Sequence, residues 1–252
     1  ATNELNDWVK TVTKGKIPTL FDSPLDPDTG AVIMNALHLK ANWTYQFQKG
    51  NNFEAPFYLP DGKQKNVTYM KIKARHLENA EFKQYFGWSL VRIPFGKDQR
   101  LWFSIILPEG PPQPHFDCCT SFTHLIREAQ RRKIDLTLPK FKISQTHHNL
   151  VDALKSMDVH DLFDQSTADL SGIDNKRDLY VGDIAHKTTL EIDETGAEGA
   201  AATAVVMPHI TSAIMHPEEV PAIPFIVDRP FMVVISDKKT NLDFFTALIH
   251  EP

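Results

Sequence analysis

The chain has 252 residues, 42% of them hydrophobic and 23% charged, which is enough apolar content to pack a sizeable core and excludes disordered and collagen-like classes. Its 27 Lys and Arg against 32 Asp and Glu give a formal charge of −5, so there is no general electrostatic reason to bind nucleic acid or an anionic membrane. No apolar run approaches the roughly 18 to 20 residues of a membrane span, and the opening ATNELNDWVK is polar, which reads as a soluble chain.

In chain order, Leu5, Trp8, Val9 and Val12 recur at helical spacing and Lys14-Gly15-Lys16 supplies a stop, which predicts a helix over 3–13. SPLDPDTG is a turn cluster, and the apolar run from Val32 to Leu39, broken by Asn35 and His38, predicts a buried strand. Between 53 and 107, short stretches rich in β-branched and aromatic residues alternate with Gly, Pro, Asp and Asn, as in a multi-strand antiparallel region. Residues 121–132 are amphipathic and predict a helix, IDLTLPKFKIS (134–144) alternates as one strand, and 149–157 is helical again. Strands are expected at 179–193, 225–235 and 242–249. The mixed order, without internal repeats, predicts an α+β fold with large sheets.

From Gly196 to Pro224 there is no Lys or Arg, a run of tiny side chains and then a Pro-containing stretch without periodicity, the kind of long connection that carries function. Hydrolase, zinc-protease, phosphate-loop and dinucleotide fingerprints are all missing, so no enzyme chemistry, cofactor or metal is expected. Cys118 and Cys119 are adjacent and cannot staple a long loop, and the pair His147-His148 reads as a solvated turn. Arg127, Arg131, Arg132 and Lys133 suit a helix end.

Two motifs resemble the serpin family of serine protease inhibitors. FIVDRPFMVVI (225–235), centred on Arg229-Pro230-Phe231, is similar to the family signature near the C-terminus. Upstream, Glu194-Thr195-Gly196-Ala197-Glu198-Gly199-Ala200-Ala201-Ala202-Thr203 resembles the reactive-loop hinge. VIMNALHLKANW, LTLPKFKIS, ADLSGI and IAHKTTLEIDE resemble further serpin segments, and the opening helix is similar to the one that crosses the front of the main sheet. The resemblance runs from 1 to 252 and implies a single serpin domain lacking its N-terminal third, with a reactive loop at about 194–224. A companion N-terminal fragment is then an expected partner.

What the resemblance implies is a suicide-substrate inhibitor, not an enzyme. A serine protease forms an acyl intermediate with the loop, which then inserts into the main sheet. Insertion needs small side chains on alternate positions, and Ala197, Gly199, Ala201, Thr203 and Val205 form that buried set, with Glu198 on the solvent face. The family's spacing places the scissile bond at Ile210-Thr211, with Met215-His216 as runner-up. The lack of basic residues points to an elastase-like or chymotrypsin-like target. The resemblance also matches Asn35 and His186 to a polar pair beneath the opening sheet, Trp43 to the residue where insertion begins, and Lys140 with Glu194 to an ion pair there.

The alternative is a non-inhibitory serpin acting as ligand carrier, chaperone or storage protein. Heparin dependence stays open. Asn42-Trp43-Thr44 and Asn66-Val67-Thr68 are glycosylation sequons, Asn66 being the favoured acceptor because Asn42 adjoins a residue expected to be buried, and they fit a secreted protein.

Overall fold

The computed structural model describes residues 2–25, 29–85, 87–110, 126–147, 150–197 and 220–252. It forms two compact units, Ala1–Leu39 with Lys142–Leu190, and Lys40–Phe141 with Glu191–Pro252.

In the first unit, helix α1 (Thr2–Val12) ends where Lys14 and Gly15 turn to positive φ, 52° and 78°, and the Gly15 N–H closes onto the Lys10 carbonyl at 2.7 Å. Asn6 then clamps the returning chain: its Oδ1 accepts the N–H groups of Leu20 and Phe21, and its Nδ2 donates to the Phe21 carbonyl. Strand β1 (Ala31–His38) presents Val32, Met34 and Ala36 to the cluster of Val9, Ile17, Leu20 and Phe21. The intervening Ile33 and Asn35 are exposed, so β1 is half-buried rather than the buried strand expected. Period-two alternation with cover on one face explains the difference.

The second unit begins with β2 (Ala41–Asn42) and continues through β3 (Phe53–Tyr58), β4 (Gln64–Ile72), β5 (Glu81–Tyr85), β6 (Trp88–Pro94), β7 (Leu101–Pro108), β8 (Gln130–Arg131) and β9 (Ile134–Pro139). Strand β10 (Phe141–His147) returns to the first unit, where it is followed by α2 (Leu150–Lys155) and α3 (Ser171–Asp174). Strand β11 (Val181–Ile192) lies parallel to β1 and pairs with β10. Its Ile184 joins Val181 and Phe163 in a cluster with Leu150, Val151 and Leu154, while Ala185 faces α1. The last strands are β12 (Gly196–Ala197), β13 (Ile223–Ile226), β14 (Phe231–Asp237) and β15 (Asp243–Ile249).

Two sheets dominate the second unit, one in the order β15-β14-β7-β6-β5-β8 and one in the order β13-β9-β4-β3. Neighbours are antiparallel except β13 with β9. Fully buried Phe231 meets Phe57 of β3 edge-on at 6.4 Å and Phe141 at 5.7 Å.

Three further expected elements are corrected. The strand over 134–144 breaks at Lys140, because Pro139 has no N–H to continue a ladder, and its halves β9 and β10 join different sheets. The strand over 225–235 breaks at Asp228-Arg229-Pro230 for the same reason; Arg229 secures the corner by donating to the Pro108 carbonyl at 2.8 Å and to Asp228 at 2.7 Å. The helix over 121–132 is helical at 126–128, but residues 130–131 pair with β5, and 121–125 lie outside the described residues.

Replacing the inter-sheet ring, Phe231→Ala, is expected to lower stability by about 3–5 kcal/mol, measured by urea unfolding; a loss under about 1 kcal/mol would contradict this packing.

Candidate functional site

The candidate site is the turn that follows β11. Asp193 makes it by local hydrogen bonding: its Oδ1 accepts from the Thr195 N–H at 2.7 Å, the Thr195 hydroxyl at 2.6 Å and the Gly196 N–H at 3.1 Å. The Asp193 N–H in turn donates to the Gly196 carbonyl at 3.0 Å, so the chain reverses and Ala197 pairs with Ile192. On its other side β12 pairs with β2, Gly196 opposite Asn42 and Ala197 opposite Ala41.

Gly196 has φ +146°, and a Cβ there would lie 2.0 Å from the Ala41 carbonyl oxygen and 2.7 Å from the Asn42 Cα. Backbone cannot yield as a flexible side chain can, so this position excludes every side chain. Glycine at 196 is therefore required by close approach as well as by its freedom to turn.

Reversal of the chain turns Glu194 inward, where it is 2% exposed. Lys140 Nζ reaches both carboxylate oxygens, at 3.0 and 3.3 Å, and Asn52 Nδ2 donates to Oε1. Burial works against ionisation of Glu194. The hydrogen bonds from Asn52, a backbone N–H and Lys140, with the Lys140 charge, outweigh it and hold the carboxyl below its ordinary range.

Trp43 is 3% exposed and stacks on Phe95 at 4.4 Å and 11°, with Phe103 edge-on at 5.3 Å. Its backbone N–H donates to the Thr195 carbonyl and its indole Nε1 to the Asp193 carbonyl, both at 2.8 Å, while the Phe47 N–H donates to the Glu194 carbonyl. Trp43, Lys140, Glu194, Gly196 and Ala197 thus converge on one place.

Asn35 and His186 lie together in the first unit, opposite each other in the β1–β11 register. His186 also faces His147 across to β10, with nearly parallel rings 5.7 Å apart. Burial, and then the neighbouring His147, push the His186 imidazole below its ordinary value.

Asn42 and Asn66 are both exposed. Glu198, Gly199, Ala200, Ala201, Ala202, Thr203, Val205, Ile210, Thr211, Met215 and His216 lie outside the described residues. The sequence reading missed Asp193 and Asn52, and it read His147 as part of a solvated turn, whereas His147 ends strand β10 beside His186 and His148 lies outside the described residues; the Asp-x-Thr-Gly spacing was a turn signal that could have found Asp193. Among the described residues no group of three or more metal-ligating side chains converges and no helix is long and apolar enough to cross a membrane.

Residues 1–252 match the family model described as Serpin (serine protease inhibitor). Iripin-8 of Ixodes ricinus is 33% identical over 255 residues, covering 99% of this chain and 61% of that protein. Serpin B10 of Sorex araneus is 34% identical over 259 residues, covering 99% and 62%. The chain therefore spans about three-fifths of the length of these relatives. Among solved structures, the thermophilic serpin tengpin in its native state superposes with a TM-score of 0.78 at 26% identity, over 100% of this chain and 63% of that one. Human thyroxine-binding globulin gives 0.81 at 26% identity, over 100% and 64%.

Gly196→Ala is expected to destabilise the second unit by about 2–4 kcal/mol through strain and displaced backbone, read as a lower urea midpoint; an unchanged midpoint would show that the approach to Ala41 relaxes freely. A base whose folded pKa is lowered stabilises the fold fully above its unfolded value, about 6.5 for histidine, and loses that contribution as pH falls towards the folded value. The urea midpoint should therefore fall between pH 7 and pH 5, and His186→Gln should flatten that fall. A parallel pH dependence in wild type and variant would remove His186 as its source.

Proposed function

This chain belongs to the serpin family, and we propose that it carries the hinge and receiving sheet of a suicide-substrate inhibitor of a serine protease. The observation that carries the reading is the seat of Gly196 and Ala197 between Ile192 and β2, with Ala197 wholly buried. The first insertable side chain is then already on the core side of a strand, and the residues that follow in sequence are Gly, Ala and Thr at alternate positions.

In this mechanism the protease serine Oγ attacks the Ile210 carbonyl, the Thr211 amine leaves, and an ester joins the two proteins. Strand insertion then carries the tethered protease away before water completes hydrolysis. Met215-His216 is the second candidate bond. The absence of Lys and Arg from 196–224 favours an elastase-like or chymotrypsin-like pocket.

Residues 1–252 form part of one serpin domain in this reading, with the reactive loop at about 194–224 and a companion N-terminal segment as partner. Secretion with glycosylation at Asn66 fits its exposed side chain. A second reading, a small-ligand carrier, draws on the likeness to thyroxine-binding globulin.

Reconstituted with a companion segment and mixed with elastase or chymotrypsin, the chain should give a denaturant-resistant complex of the summed masses. Ala197→Arg should convert it to a cleaved substrate, because a charge on the buried face opposes insertion by several kcal/mol. Clean loop cleavage without complex would refute the inhibitor reading, and an undiminished complex yield in Ala197→Arg would refute the assignment of the buried face.

A further inference from the structure

Burial of Trp43 does not bury its neighbour Asn42. Side chains alternate across a strand, so the packing of the Trp43 ring on Phe95 and Phe103 turns Asn42 to the opposite face, where it is exposed. The residues opposite Asn42 on both sides are glycines. Gly196 of β12 faces it in the β2–β12 register. On the other edge Trp43 bridges Phe95 in the antiparallel sense, which sets Asn42 against Gly96, and the Gly96 N–H donates to the Asn42 carbonyl at 2.8 Å.

Directly opposed residues of an antiparallel pair stand about 4.5–5.5 Å apart and point to the same side, so each ordinarily crowds the other. Asn42 meets no opposed Cβ in either direction. The other sequon differs, since Asn66 lies opposite Pro56 in the β3–β4 register. The backbone of Asn42 is held by partners on both edges, and a group attached to its Nδ2 therefore stands on the solvent face over the Gly196 rung. The same rung precedes Ala197, whose side chain is wholly buried on the other face.

We propose that Asn42 carries an N-linked glycan and that this glycan slows entry of the reactive loop into the sheet. The attachment requires the secretory route proposed above, and the effect on the loop rests on the inhibitor reading. In the transfer, Asn42 Nδ2 forms a bond to C1 of an oligosaccharide carried on a lipid diphosphate. The bond between C1 and the diphosphate oxygen breaks, the lipid diphosphate leaves with that electron pair, and the amide gives up one proton to a base of the transferase. The acceptor is the chain before it folds, because in the fold the Thr44 hydroxyl of the sequon is donated to the Gly96 carbonyl. The fold has then only to accommodate the product, and the paired glycines leave the room. Hydrated sugars at this place crowd the solvent side of the first rung, where a loop must approach before its acyl ester is hydrolysed.

The test is secretion of the full chain with its companion segment from a eukaryotic host, as wild type, Asn42→Gln and Asn66→Gln, with mass spectrometry of the two sequon peptides. A glycan mass on Asn42 is expected; a bare Asn42, whatever the state of Asn66, overturns the proposal. With elastase or chymotrypsin, Asn42→Gln should raise the ratio of trapped complex to cleaved chain about twofold to fivefold, the range of an excluded-volume effect, while Asn66→Gln leaves it unchanged. Wild type trimmed to one sugar by an endoglycosidase should shift in the same direction as Asn42→Gln, which keeps the comparison valid if that variant folds poorly. An occupied Asn42 whose removal and trimming both leave the ratio unchanged overturns the effect on the loop. If no protein forms a complex, the inhibitor reading fails on its own, and thermolysin cleavage within residues 193–197 then decides the placement: slower cleavage in wild type than in the trimmed protein supports a glycan over this rung, and equal rates overturn it.

Discussion

The approach of the Gly196 backbone to Ala41–Trp43 is the constraint from which the rest of the turn after β11 follows. With no Cβ to hold the chains apart, β12 enters between Ile192 and β2, and both of its edges find backbone partners. That placement fixes the direction of the preceding turn, which in turn decides that Glu194 faces inward and that the carbonyls of Asp193, Glu194 and Thr195 meet the N–H groups of Trp43 and Phe47. Trp43 can serve as the fixed wall because Phe95 and Phe103 leave its ring no alternative position in a close-packed interior. A side chain at residue 196 would therefore act on the turn, the carboxylate and the indole together.

The polar groups of the two units show how local donors decide the outcome of burial. Removing a lone carboxylate from water is unfavourable by several kcal/mol, yet Glu194 stays readily ionised because Asn52, a backbone N–H and Lys140 supply donors matched to its oxygens. At His186 burial and a second imidazole act in the same direction, and both favour the neutral form. In both cases acidification works against the folded arrangement, but through different chemistry: protonation removes the acceptor at Glu194 and creates an ill-solvated cation at His186.

Much of this was legible in the sequence, for reasons that can be named. Helix α1 was readable because Leu5 and Val9 keep one face apolar and Lys14-Gly15 supplies the stop. The two false continuations, through Pro139-Lys140 and through Asp228-Arg229-Pro230, arose because alternation runs unbroken across both corners; the prolines were the contrary signal and should have outweighed it. The α+β serpin fold followed from motifs whose order is specific, and the family comparison agrees. Asn52 and His147 were not readable, since Asn52 meets Glu194 across 142 residues of sequence and His147 meets His186 only through the register of β10 on β11. Register is set by the whole sheet and leaves no local mark on either histidine.

The Lys140–Glu194 pair is asymmetric in a way that identifies the member on which the turn after β11 depends. The lysine side chain is 37% exposed and the glutamate 3%. If Glu194 is removed, the Lys140 ammonium can turn to water and keep most of its solvation. If Lys140 is removed, a buried carboxylate is left with Asn52 and a backbone N–H, and the balance that keeps it ionised moves back towards burial. Deleting the exposed partner therefore leaves the more costly orphaned charge. Because Glu194 lies two residues before the Gly196 contact with β2, weakening its hold loosens the same turn. Lys140, the residue at which Pro139 breaks the strand between β9 and β10, therefore does two things with one backbone break: it lets the chain change sheets, and it directs an ammonium at the carboxylate that the turn after β11 faces inward.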